Sequence, residues 1–108
     1  MSMTEAKHNP VKLLLIYDPI PGRREAYLQY VQGELIPALE HMGLRMCEAW
    51  HTAYGAYPLR MAGFVAPDRD TLSRIMASED FQDLEARLQN YVINYKRKIV
   101  PRNRTFQF

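Results

Sequence analysis

The chain has little of several things, and each scarcity excludes something. Among its 108 residues there is one cysteine, Cys47, so no intrachain disulfide can form and no zinc site can be built from cysteines. Its longest apolar run, Leu13-Leu14-Leu15-Ile16-Tyr17, falls far short of the roughly 20 residues that a spanning helix needs. The start, Met1 to Pro10, is polar and has no apolar core of a secretory signal; a cytoplasmic protein is the default expectation. The formal charge of +2 is too small to imply a polyanionic partner. No low-complexity segment and no internal repeat is present. The histidines His8, His41 and His51 are not at ligand spacing, so neither a metal nor another cofactor is expected.

What remains is an ordinary globular balance, 47% hydrophobic and 24% charged, in a chain the size of one domain. The expectation is a mobile tail over residues 1–10 and one domain over 11–108. Lys12 to Tyr17 is apolar at nearly every position, which suits a strand covered on both faces. Asp18-Pro19-Ile20-Pro21-Gly22 breaks it. From Arg23 to Met42 the residues Tyr27, Val31, Leu35, Ala38 and Met42 recur at helical steps. Pro37 has no donor for the preceding turn, which predicts a kink or break near Gly33, and Gly43 is the expected cap.

Leu44 to Tyr54 and Leu59 to Ala66 are expected to form a hairpin around Gly55. Simple alternation puts Leu44, Met46, Glu48, Trp50, Thr52 and Tyr54 on one face of its first strand, with Arg45, Cys47, Ala49, His51 and Ala53 on the other. Asp68 then caps a helix buried through Leu72, Ile75 and Met76, and Ser78 caps a second one running to about Ile93. Asn94 to Val100 closes the domain as a strand. Its basic residues Lys96, Arg97 and Lys98, with Arg102 and Arg104 beyond, read as an edge that discourages pairing more readily than as a phosphate stripe, since no recognition helix or stacking aromatics accompany them. No nucleic-acid or membrane partner is expected.

The order β, α, β, β, broken α, β is the split βαβ or ferredoxin-like pattern of α+β proteins: a four-stranded antiparallel sheet with its helices on one face. The other face is then an apolar surface without cover in the chain, and a symmetric homodimer with facing sheets is the simplest way to bury it.

Pro21-Gly22 after the first strand, the helix end Ile36-Pro37-Ala38-Leu39-Glu40-His41-Met42-Gly43, the strand segment Ala49-Trp50-His51-Thr52 and the turn at Gly55 together resemble the NIPSNAP-like members of the dimeric α/β barrel superfamily. The resemblance covers nearly all of Val11 to Phe108 and departs at Ala56-Tyr57-Pro58. It implies a homodimer with one cavity per subunit between sheet and helices. The superfamily includes antibiotic-biosynthesis-type monooxygenases, haem-degrading enzymes, dehydratases, isomerases and proteins of unknown activity.

The candidate site residues cluster on the hairpin and the first strand. His51 and Tyr17 are the candidates for acid–base work, His51 because imidazole titrates near neutral pH; its bland alternative is a half-buried strand histidine bonded to backbone. Trp50, Tyr54 and Arg60 are the candidate ligand contacts, against the alternative that aromatics simply pack well in strands. An arginine within a strand needs a carboxylate or an anionic ligand, and Glu48 or Asp18 is the candidate internal partner. The expected function is binding, or a cofactor-independent oxygenase-like or isomerase-like reaction, on a small hydrophobic or aromatic molecule. A non-catalytic binding or interaction module with a packed cavity is the alternative.

Overall fold

The computed structural model describes residues 9–54 and 57–101, with backbone alone for 48–54 and 57–60. The N-terminal residues 1–8 and the turn at Gly55 lie outside the described residues, as do Arg102 and Arg104. In chain order the elements are β1 (Val11–Pro19), α1 (Arg24–Tyr30), a π-helical segment (Val31–Leu35), α2 (Ile36–His41), β2 (Arg45–Tyr54), β3 (Tyr57–Ala66), α3 (Arg69–Ala77), α4 (Glu79–Leu88) and β4 (Val92–Pro101). The strands form one sheet in the order β2-β3-β1-β4, antiparallel at every pairing. This is the ferredoxin-like α+β fold.

Pro37 shapes the first helical region. Because it lacks an N–H, the helix widens over Val31–Leu35, where the Ile36 N–H bonds to the Val31 carbonyl five residues back, and Pro37 falls in the opening turn of α2. The expected disruption near Gly33 is therefore a π segment with helical dihedrals at both flanks, not a break. Gly43, at φ +112°, ends α2 with Leu44 N–H reaching the Leu39 carbonyl at 3.0 Å. Asp68 accepts from Thr71 N–H at 2.7 Å and Ser78 accepts from Phe81 N–H at 3.2 Å, so both predicted caps form. Helix α4 stops at Leu88, short of the expected Ile93, because Val92 is already paired with Pro19 in the sheet.

The core lies between sheet and helices. Leu13, Leu15 and Tyr17 of β1 and Ala62, Phe64 and Ala66 of β3 meet Tyr27, Tyr30, Leu35 and Leu39 from one helical region and Leu72, Phe81, Leu84 and Leu88 from the other. The opposite face of β1 and β3 carries Lys12, Leu14, Ile16, Met61, Gly63 and Val65; Leu14 and Gly63 are buried and the other four half-buried. Lys96 and Lys98 of β4 join that outer face opposite Ile16 and Leu14.

Strand alternation on β2 departs from expectation. Met46 pairs with Phe64 and Glu48 with Gly63, so two steps on β2 match one on β3 and Cys47 is the extra residue of a bulge. Leu44 and Met46 therefore share a face with Ala49 and His51, not with Trp50. The bulge is invisible to a period-two reading, which assumes an unbroken ladder.

Candidate functional site

The pairing registers bring three of the five candidates into one row. Tyr17 pairs with Arg60, and Arg60 pairs with His51. Tyr17 is 2% exposed and belongs to the helix-side core, so its row partners occupy helix-side positions of β3 and β2. Trp50 pairs with Met61, and Tyr54 with Tyr57, in the alternate rows of the outer face. The side chains of Trp50, His51, Tyr54 and Arg60 lie outside the described residues, and their placement here is by register alone.

Tyr17 itself is well defined. Its hydroxyl lies 2.7 Å from that of Tyr27, and the rings meet edge to face at 5.8 Å between centroids. Tyr27 sits in the first turns of α1, where its N–H bonds to the Arg23 carbonyl at 2.8 Å. Sequence reasoning had Tyr27 only as one member of a core stripe. Helical periodicity reports burial, and no spacing signals that two phenols 10 residues apart will share a hydrogen bond.

The row ends beside a second irregularity. The β1–β4 register shifts between Ile16 and Asp18, and Asn94 adopts φ +57° there, a conformation asparagine tolerates. Asn94 donates to the Asp18 carboxylate at 2.9 Å.

Two further polar clusters tie α4 to its surroundings, the first to the sheet and the second to the first helical region. The Glu85 carboxylate accepts from Tyr95 Oη and from Arg97, both at 2.7 Å and both at Oε2. Burial, then the bond to Glu85, pushes the Tyr95 hydroxyl far above its usual range. Arg97 thus belongs to the helix side while Lys96 and Lys98 face outward, so the basic residues of this edge strand do not form one stripe. Tyr30 stacks on Tyr91 at 5.3 Å and donates to the Leu84 carbonyl at 2.7 Å. Burial raises its ionisation to about 12, against a smaller lowering by Arg87. Arg87 lies over the Tyr30 ring and is bonded by Glu34 and Asp83.

Among the described residues no three histidine, cysteine or carboxylate side chains converge as metal ligands, and no helix is long and apolar enough to cross a membrane. An open groove of about 560 Å³ runs between α2 and α4, past Pro37, Met42 and Leu84.

A NIPSNAP-like domain protein from Burkholderia xenovorans superimposes with a TM-score of 0.68 over 93% of this chain and 90% of its own, at 17% identity. A NIPSNAP family protein from Agrobacterium tumefaciens gives 0.66 over 90% and 89%, also at 17% identity. The chain has the NIPSNAP-like fold. SnoaB, a cofactor-independent oxygenase from Streptomyces nogalater, is similar to the same extent, with a TM-score of 0.66 over 90% of this chain and 96% of its own at 12% identity. No family model and no curated protein sequence matches. Within the NIPSNAP-like fold, the Tyr17–Arg60–His51 row crosses the three strands β1, β3 and β2 near the hairpin end of the sheet, under the first turns of α1.

Proposed function

We propose that this protein is a cytoplasmic homodimer that binds a small hydrophobic or aromatic molecule between sheet and helices, and acts on it without a cofactor by oxygenase-like or isomerase-like chemistry. The observation that carries the reading is the row itself. A phenol, a guanidinium and an imidazole position lie side by side on the helix side of the sheet, at the edge of an otherwise apolar core. Tyr17 and His51 are assigned to proton transfer and Arg60 to binding. The dimer forms through the outer face, where Ile16, Met61 and Val65 are half-buried without a covering layer among the described residues, and the Trp50 and Tyr54 positions fall on that same side.

The second reading is a non-catalytic binding or interaction module with a packed cavity. It is favoured by Tyr17 and Tyr27, which are only 2% and 4% exposed and bonded to each other. Titration calorimetry with 2-naphthol separates the two. One naphthol per chain, weakened in Tyr17→Phe, supports the cavity. Absence of heat with a normally folded protein supports the packed module. Sedimentation at micromolar concentration tests the dimer, and a stable, well-folded monomer of 12.6 kDa contradicts it.

A further inference from the structure

The groove between α2 and α4 combines an apolar floor with an acidic rim. Its floor is Pro37, Ala38, Met42 and Leu84, and the short side chains of Pro37 and Ala38 leave the space between the two helices unfilled. The helical regions run in opposite directions along it, since Glu34 meets Arg87 at one end while Met42 and Asp80 line the other. At the first end Arg87 spans the walls, with Nη1 2.7 Å from Glu34 Oε1 and Nε 3.2 Å from Asp83 Oδ2, and its guanidinium lies 5.3 Å from the centre of the Tyr30 ring. Two carboxylates already satisfy that cation. At the other end Asp80 is exposed and forms no ion pair or side-chain hydrogen bond among the described residues. Three carboxylates, those of Glu34, Asp80 and Asp83, stand against one guanidinium, so with His41 neutral the lining carries a net charge of −2 in a chain whose net charge is +2.

We propose that this groove is a binding site for a lipophilic cation, an elongated apolar amine whose ammonium meets Asp80 and whose apolar body lies along Ala38, Met42 and Leu84 toward Arg87. Its volume of about 560 Å³ is that of a small-molecule site. From Asp80 to Arg87 the groove follows two turns of α4, roughly 10 Å at about 1.5 Å per residue, which suits an octyl chain. Charge sets the direction of the ligand: Arg87 repels an ammonium at its own end, and Asp80 attracts it at the other. The unbranched thioether of Met42 adapts to the chain that lies on it. Tyr17 and Tyr27 do not line this groove, so it is separate from the space between sheet and helices and is tested separately.

The test is a titration of the full-length protein, carrying methyl-labelled methionine, with octylammonium, octanol and octanoate. It is read by NMR at the Met42 methyl signal, assigned with Met42→Leu. Wild type is expected to bind octylammonium about threefold to fivefold more tightly than octanol, the gain of one exposed ion pair, and to bind octanoate most weakly. Asp80→Asn, with an unchanged melting transition, brings octylammonium and octanol to about equal affinity. Equal affinities in wild type, or an unchanged preference in Asp80→Asn, overturn the cation site. So does a titration that leaves the Met42 methyl signal unmoved. Tighter binding of trilysine than of octylammonium assigns the groove to a basic peptide, and a Met42 signal that moves on dilution without ligand assigns it to a second copy of the chain; either overturns the proposal.

Discussion

Replacing Tyr17 and Tyr27 by phenylalanine, singly and together, gives the sharpest stability test of the region beneath α1. The two hydroxyls are 2.7 Å apart and both residues are almost wholly buried, at 2% and 4% exposure. Either single change removes their shared bond, which costs about 0.5–1.5 kcal/mol. The ring contact at 5.8 Å survives in each variant, so packing contributes little to the difference. The double variant removes both polar groups, and its loss should fall short of the sum of the singles by about 1 kcal/mol. For a domain of this size each kcal/mol moves the melting temperature by about 4–8 °C. Urea denaturation at one fixed protein concentration, fitted for midpoint and slope, reads the four species. Strict additivity of the two single changes would refute the hydroxyl pair.

Gly33→Ala should stabilise the protein by up to about 1 kcal/mol, since the added methyl meets nothing within 4 Å in an exposed helical setting; a lower urea midpoint would contradict the π-helical account of Val31–Leu35. Asp68→Ala should cost about 1 kcal/mol by removing the bond to Thr71 N–H, read by thermal melting, and no loss would mean that the cap is idle. Tyr30 has an ordinary value of 10.0 and a folded value of about 12, so the native state holds its proton more tightly than the unfolded chain. Its contribution is fully present below pH 10.0 and is lost as pH rises toward about 12; stability should decline across that window, and less steeply in Tyr30→Phe. Acrylamide should quench Trp50 weakly at dimer concentrations and more strongly on dilution, if the outer face is the dimer contact; quenching independent of concentration and as free as for a model indole would contradict that.

Much of the fold was legible because its signals are local. The apolar run Leu13 to Tyr17, the caps Asp68 and Ser78 and the Gly43 stop each act through their own backbone neighbours, and each is found where the sequence put it. Pro37 announced a disturbance, yet its form as a π segment depends on the helix keeping its buried stripe Val31, Leu35 and Leu39 against the sheet. The bulge at Cys47 was not legible, because a single inserted residue leaves no mark on composition or period and is decided by how β2 meets β3. That one residue changed the reading of the site. Alternation alone placed Met46 with Trp50, and made Glu48 the ready partner for Arg60. The register instead joins Arg60 to His51 and Tyr17, a long-range juxtaposition across three strands. Tyr27 was hidden for the same reason, since only tertiary packing brings α1 over β1.

The location of a bound ligand tests the central claim most directly. Crystals of the protein soaked with 2-naphthol should show the ring between sheet and helices, with its oxygen within hydrogen-bonding distance, about 2.7–3.2 Å, of the Tyr17 or Tyr27 hydroxyl. Density for naphthol only in the open groove beside Pro37 and Met42, with the Tyr17–Tyr27 bond undisturbed and no space opened beside it, would contradict the account.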